Sequence, residues 1–290
     1  MSVIHIAIFI LFGSAQAANW KQMYKTGNGT AITTAISTCP TNYVGVPANP
    51  DYMVRYFCVS KYEMKNDGYG MPTSVATGAP WVTITRHSAY QACENLGAKY
   101  SLISNSQWQT IARNITFTAS NWSTGTEYSG ELNRGHSDNA PTNTLPAVTD
   151  DNDPCNGTGQ ACTSTTWNSQ RRTHKLSNGN VIWDFAGNVT EWVTNDNFYA
   201  FGADIYASQM VSGSVMQKAY GPLTVTICAT PGSAPYCGMG KGQFSGGDIG
   251  ISSRGGAYNM NDAAGIFSSD LRDQEGNNWP DTGFRCVYLP

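Results

Sequence analysis

Trp183-Asp184-Phe185-Ala186-Gly187-Asn188-Val189-Thr190-Glu191-Trp192-Val193 decides the reading of this 290-residue chain. The stretch sets two tryptophans on either side of a Gly-Asn turn. Gly187-Asn188 supplies the backbone freedom that a tight turn needs. Phe185, Val189 and the two tryptophans are large apolar groups that demand burial. Glu191 follows Asn188 closely enough for both side chains to reach one cation or to cap one loop.

Two later pieces extend the pattern. Ser253-Arg254-Gly255-Gly256-Ala257-Tyr258 and Gly283-Phe284-Arg285-Cys286 follow in the chain, so the order reads Gly-Asn-Val-x-Glu-Trp, Arg-Gly-Gly-x-Tyr, Gly-Phe-Arg. As an ordered set these motifs resemble the sulfatase-modifying-factor (formylglycine-generating enzyme) family, whose domain is an elaborated C-type lectin fold. The resemblance covers residues 39–290 and implies an α+β, loop-rich, disulfide-braced domain there. It also implies that Asn188 and Glu191 help to hold a calcium ion. The residues alone leave an alternative, in which Glu191 satisfies buried backbone donors without a metal. Residues 54–64 alternate as a strand. They resemble the family's early strand, with Glu63 at its acidic position, and Glu63 reads as a buried structural carboxylate.

Only 13% of residues are charged and the formal net charge is −3. This fits an exported, loop-rich protein and gives no electrostatic case for nucleic acid, whose recognition needs basic clusters. Arg171-Arg172 reads as ordinary surface. Residues 1–17 form an apolar run ending in Ala15-Gln16-Ala17 and read as a secretory signal peptide. An uncleaved anchor is the alternative, although the run is short for a membrane span. Residues 18–38 read as a flexible lead-in. No later segment is long and apolar enough to span a bilayer, so the mature chain is expected to be secreted, periplasmic or at the cell surface.

Eight cysteines, an even number, fit an oxidising compartment. Cys155 and Cys162 close a short Gly-rich loop, and Cys228 and Cys237 close another containing two prolines. The resemblance implies a bridge from Cys93 in the first helix to Cys286 in the last strand, which leaves Cys39 and Cys58 to bracket an N-terminal hairpin. There is no Cys-x-x-Cys to support a zinc site.

Ala89, Ala92, Cys93 and Leu96 recur at helical spacing, predicting a helix over 85–96 with Thr85 or Ser88 as cap and Gly97 at its end. A second helix begins near Asn105 with Trp108, Ile111 and Ala112 on its buried face. Ser106-Gln107-Trp108 resembles a family element that carries acids where this chain has Ser and Gln, and its expected role is packing on the sheet. Residues 172–176 and 181–183 read as a hairpin around Asn178-Gly179. Residues 121–154 form a long irregular region, and such loops are functional or disordered. Within it, Asp150-Asp151-Asn152-Asp153 offers Asp151 and Asp153 as oxygen ligands for a hard ion such as calcium, against the alternative of a solvated acidic turn. His136 reads as a hydrogen-bonding loop residue. Residues 194–250 read as an insertion without periodicity.

The resemblance places the family's two copper-binding cysteines at Met260 and Gly265. Neither supplies a thiolate, the soft ligand such a site requires, so no copper is expected and the enzyme reading is weak. No Gly-x-Ser-x-Gly elbow appears, although a site near His136, Arg254 and Arg285 remains a rival, as does a structural envelope or filament role. Arg254 and Arg285 are expected to brace loops by hydrogen bonds. What remains is a braced scaffold with exposed loops, which suits binding of a protein or glycan ligand at a cell surface. Residues 258–281 are the candidate surface, with Tyr258, Asn259, Asn261, Asp262, Ser268, Asp270, Asn277, Asn278 and Trp279 as exposed contacts. Their Tyr, Asn, Ser and Asp content matches the adaptable chemistry of a paratope. The segment is similar to the variable region of retroelement-diversified C-type lectin proteins; the alternative is a wet closing loop.

Overall fold

The computed structural model describes residues 38–194, 205–207, 219–222, 235–244 and 251–290. The expected signal peptide, the lead-in before Thr38, Cys228 and most of the 194–250 insertion lie outside these residues. Among the described residues no helix is long and apolar enough to cross a membrane.

The architecture is α+β, with the last two strands divided between two sheets. One sheet orders β1 (Tyr43–Val46), β2 (Phe57–Ser60), β14 (Cys286–Tyr288) and β5 (Tyr100–Leu102). The other orders β13 (Thr282–Phe284), β8 (Thr190–Trp192), β11 (Ile251–Arg254), β12 (Ser269–Asp273), β10 (Gly242–Phe244) and β9 (Ile205–Ala207). Two hairpins complete the described sheets: β3 (Lys65–Asn66) with β4 (Pro72–Thr73), and β6 (Thr173–Lys175) with β7 (Val181–Trp183). The last hairpin is the one that Asn178-Gly179 predicts, with Thr173 opposite Trp183.

The strand expected over 54–64 is shorter. All four residues of β2 are buried, and Val54 forms only an isolated bridge to Asn49. Beyond Ser60 the chain leaves the ladder to reach the other sheet, where the Met64 N–H donates to the Phe284 carbonyl. Both helices appear where the spacing puts them. The Arg86–Asn95 helix is capped by Thr85, whose side chain accepts from the Ser88 N–H, and it buries Ala89, Ala92 and Cys93. The Asn105–Thr116 helix begins with a capping box: Ser104 Oγ accepts from the Gln107 N–H at 3.2 Å and Gln107 Oε1 accepts from the Ser104 N–H at 2.8 Å. Gln107 therefore starts the helix, while Trp108 does the packing, its ring stacked on Phe185 at 3.9 Å and its Nε1 donating to Ile266 O.

Fully buried aromatics hold the layers together, notably Trp108, Trp122, Trp183, Trp192, Phe185 and Phe284. Burying each contributes on the order of 2–3 kcal/mol. Disulfides join Cys39 to Cys58 across the β1–β2 hairpin, Cys93 to Cys286 and Cys155 to Cys162. Cys237 is also disulfide-bonded.

The Gly-Phe-Arg motif is where the chain changes sheets. β13 runs parallel to β8, with Gly283 beside Glu191. One residue later β14 pairs with β2 and β5. Arg285 sits at the step between them.

Candidate functional site

The Gly-Asn turn ties three loops together. Gly187 and Asn188 both have positive φ, 73° and 62°, and a Cβ on Gly187 would lie 2.4 Å from His136 O. Only glycine fits there. The Asn188 N–H donates to His136 O at 2.7 Å, and the Asn188 carbonyl accepts from the Tyr258 N–H at 3.1 Å. The turn thus fixes the 133–144 loop against the start of the 258–281 segment.

Beneath the turn lies a buried set of charges. Arg285 uses every N–H of its guanidinium: Nε donates to Glu191 Oε1 at 2.8 Å, Nη1 to Ser60 O and Lys61 O, and Nη2 to Trp183 O and Asp184 O. Arg172 is equally saturated, bidentate to Asp184 and bonded to the carbonyls of Leu145, Pro146 and Asn156. Arg171 and Arg172 are therefore interior residues and not surface, because the 145–156 loop closes over Arg172 with its carbonyls while Ser120 O, Asn121 and Asn133 enclose Arg171. Glu63 accepts from Asn188 Nδ2 at 2.6 Å and from the Val189 N–H, the buried structural role expected of it. Burial pushes the Glu63 carboxyl well above its usual range, with the Asp184 charge adding to the effect. Burial also pushes Glu191 up to about 7, against the pull of Arg285, and pushes the Lys65 ammonium down.

The residues expected to hold calcium make the following contacts. Asn188 Oδ1 accepts from the Leu145 N–H at 2.7 Å, and Glu191 Oε1 accepts from Arg285 Nε at 2.8 Å. Asp151 pairs with Lys61 and accepts from Trp183 Nε1 at 2.8 Å. Asp153 accepts from Asn156 Nδ2, and Asp150 closes its own turn onto the Asn152 N–H. Among the described residues no group of three or more His, Cys, Asp or Glu is placed to hold a metal ion.

The candidate surface residues fall into two linked groups. Tyr258 is half-buried with its ring stacked 6.0 Å from His136, Asn259 and Asn261 are exposed, and Asp262 pairs with Arg134. The Asn261 N–H donates to Ser137 O and the Asn139 N–H to Tyr258 O. At the other end Asn277 and Trp279 both donate to Asp273 Oδ1, Asn278 is exposed, and Trp279 is 49% exposed. Asn259 Nδ2 reaches Asp281 Oδ2 at 3.5 Å and joins the groups. Asp270 pairs with Arg272 on β12. Ser268 is a correction: it is buried, because its hydroxyl turns in toward Lys241 O.

Sequence reading missed Arg134, Ser137 and Asn139 as supports of this face. No local signal marks them, since their partners are more than a hundred residues away. His136 is buried, as a hydrogen-bonding loop residue, with Nε2 against Asn143 O at 2.9 Å. A Cβ on Gly265 would lie 2.3 Å from the Met239 carbonyl carbon, so a cysteine there would require the backbone to shift.

No family model matches this chain, and no curated protein does. Among solved structures it is similar to the Major Tropism Determinant I1 variant at 13% identity and TM-score 0.41, covering 87% of this chain and 53% of that one. It is also similar to Treponema denticola variable protein 1, at 12% identity and TM-score 0.37 over 81% and 85% of the two chains. PvdO from Pseudomonas aeruginosa follows at 12% identity and TM-score 0.38, over 86% and 91%. The chain spans about half the length of the Major Tropism Determinant variants it matches.

Proposed function

We propose that this chain is a ligand-binding protein, exported or displayed at a cell surface, on a C-type-lectin-like scaffold of the formylglycine-generating-enzyme type. It binds a protein or glycan through residues 258–281. The observation that carries the reading is the contrast along that segment. It leaves the buried framework at Ala257, returns to it from Ala264 to Leu271 and enters it again at Thr282, and the two stretches between present Asn259, Asn261, Asn278 and Trp279 to solvent. Its ends are held by Arg285, the Cys93–Cys286 bridge and the Asn188 turn. Exposed side chains on ends held that firmly lose little entropy on binding.

The test compares the purified full chain, disulfides intact, with an Asn259→Ala/Asn278→Ala/Trp279→Ala variant on a glycan array and on whole-cell surfaces. These side chains are exposed, so the variant should melt close to the wild type. Binding that falls about tenfold or more in the variant, as loss of an exposed aromatic anchor would cause, supports the reading. Binding that the variant retains in full places the contact surface elsewhere.

A further inference from the structure

Arg254 differs from the two saturated arginines. It is fully buried, yet its single hydrogen bond runs from Nη2 to Gln109 Oε1 at 3.1 Å. Among the described residues its Nε and Nη1 have no hydrogen-bond partner and no carboxylate pairs with it. The guanidinium instead lies against two rings, 5.5 Å from the centroid of Tyr220 and 5.9 Å from that of Trp108. The ionisable groups that bear on it are the phenols of Tyr220 and Tyr52. Tyr52 is half-buried and the next residue, Met53, is 91% exposed, so the cluster borders the surface on that side.

A guanidinium cannot shed its proton in a protein, and an isolated buried charge is costly. Ring faces recover only part of that cost. The same chain makes five hydrogen bonds from the guanidinium of each of Arg172 and Arg285, so it has the means to saturate a buried arginine and does not do so here. Gln109 cannot lend a charge, and its own Nε2 is held by Gly221 O at 2.5 Å. What the described residues do not supply is a planar acceptor with negative charge, and a carboxylate matches the guanidinium edge in both shape and sign.

We propose that Arg254, walled by Trp108 and Tyr220 and oriented by Gln109, is a binding position for a small carboxylate. The site recognises the carboxylate group, and the aromatic walls favour an apolar or planar remainder.

The experiment follows thermal unfolding of the full chain in sodium chloride and in sodium acetate at equal ionic strength and pH. A ligand that binds only the folded state raises the melting temperature as its concentration passes the dissociation constant. The wild type should show a saturating rise of several degrees in the millimolar acetate range. Arg254→Met should lose that response. Gln109→Glu, which places a carboxylate beside Nη2 from within, should also lose it. Parallel acetate responses in the wild type and in the variants would overturn the proposal. If Arg254→Met does not fold, Gln109→Glu alone decides: an unchanged acetate response rejects the site, and a lost response retains it.

Discussion

Arg285 and Arg254 are both fully buried, and both come from motifs flanking β8, yet their surroundings are opposite. Glu191 lies across from Arg254 in the β8–β11 register and beside Gly283 in the β8–β13 register. Its carboxylate goes to Arg285. The four remaining bonds of Arg285 collect carbonyls from the ends of β2 and β7, so one side chain fastens both sheets at the point where the chain crosses between them. Arg254 meets aromatic rings and an amide. A charge buried with all of its partners holds structure, whereas a charge buried with one partner is ready to accept another.

The largest expected effect tests the saturated side. Arg285→Met removes five hydrogen bonds and leaves Glu191 buried without its partner. Breaking a buried pair from one side costs about 3–5 kcal/mol, and urea unfolding should show a midpoint lowered accordingly. A loss under about 1 kcal/mol, the size of one ordinary hydrogen bond, would mean that the crossing is held by packing and by Cys93–Cys286 instead.

A smaller effect comes from the acid of the same pair. Burial raises the Glu191 carboxyl from its usual 4.5 to about 7. Between those values the folded protein keeps a proton that the unfolded chain has released. The contribution of this group is therefore greatest below 4.5 and declines as pH rises to about 7. The decline amounts to up to about 3 kcal/mol. Glu63, pushed up by burial, and His136 and His174, pushed down by it, add slopes of their own. The two histidines are common to the wild type and Glu191→Gln and cancel in the difference between their stability curves, whereas Glu63 feels the Glu191 charge, so the difference reports Glu191 together with its effect on Glu63. Curves that stay parallel from pH 4.5 to about 7 would show that Glu191 titrates as an ordinary carboxylate.

The comparison also marks how far the sequence can be read. Both helices are legible because their signals are local: Thr85 and Ser104 cap, and apolar residues recur every three or four positions. The Asn178-Gly179 hairpin is legible for the same reason. The change of sheets at Arg285 is not, since nothing in Gly-Phe-Arg says that Phe284 pairs with Trp192 while Cys286 pairs with Leu102. Arg171-Arg172 reads as surface because a charge pattern carries no record of the distant carbonyls that enclose it. The motif marks Asn188 and Glu191 as a pair acting inward, but their partners, Glu63, Leu145 and Arg285, come from three separate parts of the chain. The candidate surface is legible in composition. Its support by Arg134 and Ser137 is not, and neither is the burial of Ser268.

The smallest expected effect sharpens the comparison most. In chloride, Arg254→Met removes one hydrogen bond to an amide and two ring contacts, and it relieves the desolvation of an uncompensated charge. Replacing a buried charge by an apolar side chain of similar length is often neutral or stabilising. One neutral acceptor contributes only about 1 kcal/mol. The two effects oppose each other, so the stability measured by urea unfolding should stay within about 1 kcal/mol of the wild type. That result, set beside the loss in Arg285→Met, would separate an arginine that holds the fold from one that the fold merely encloses. A loss as large as that of Arg285→Met would place Arg254 among the structural pins and erase the distinction on which its binding role rests.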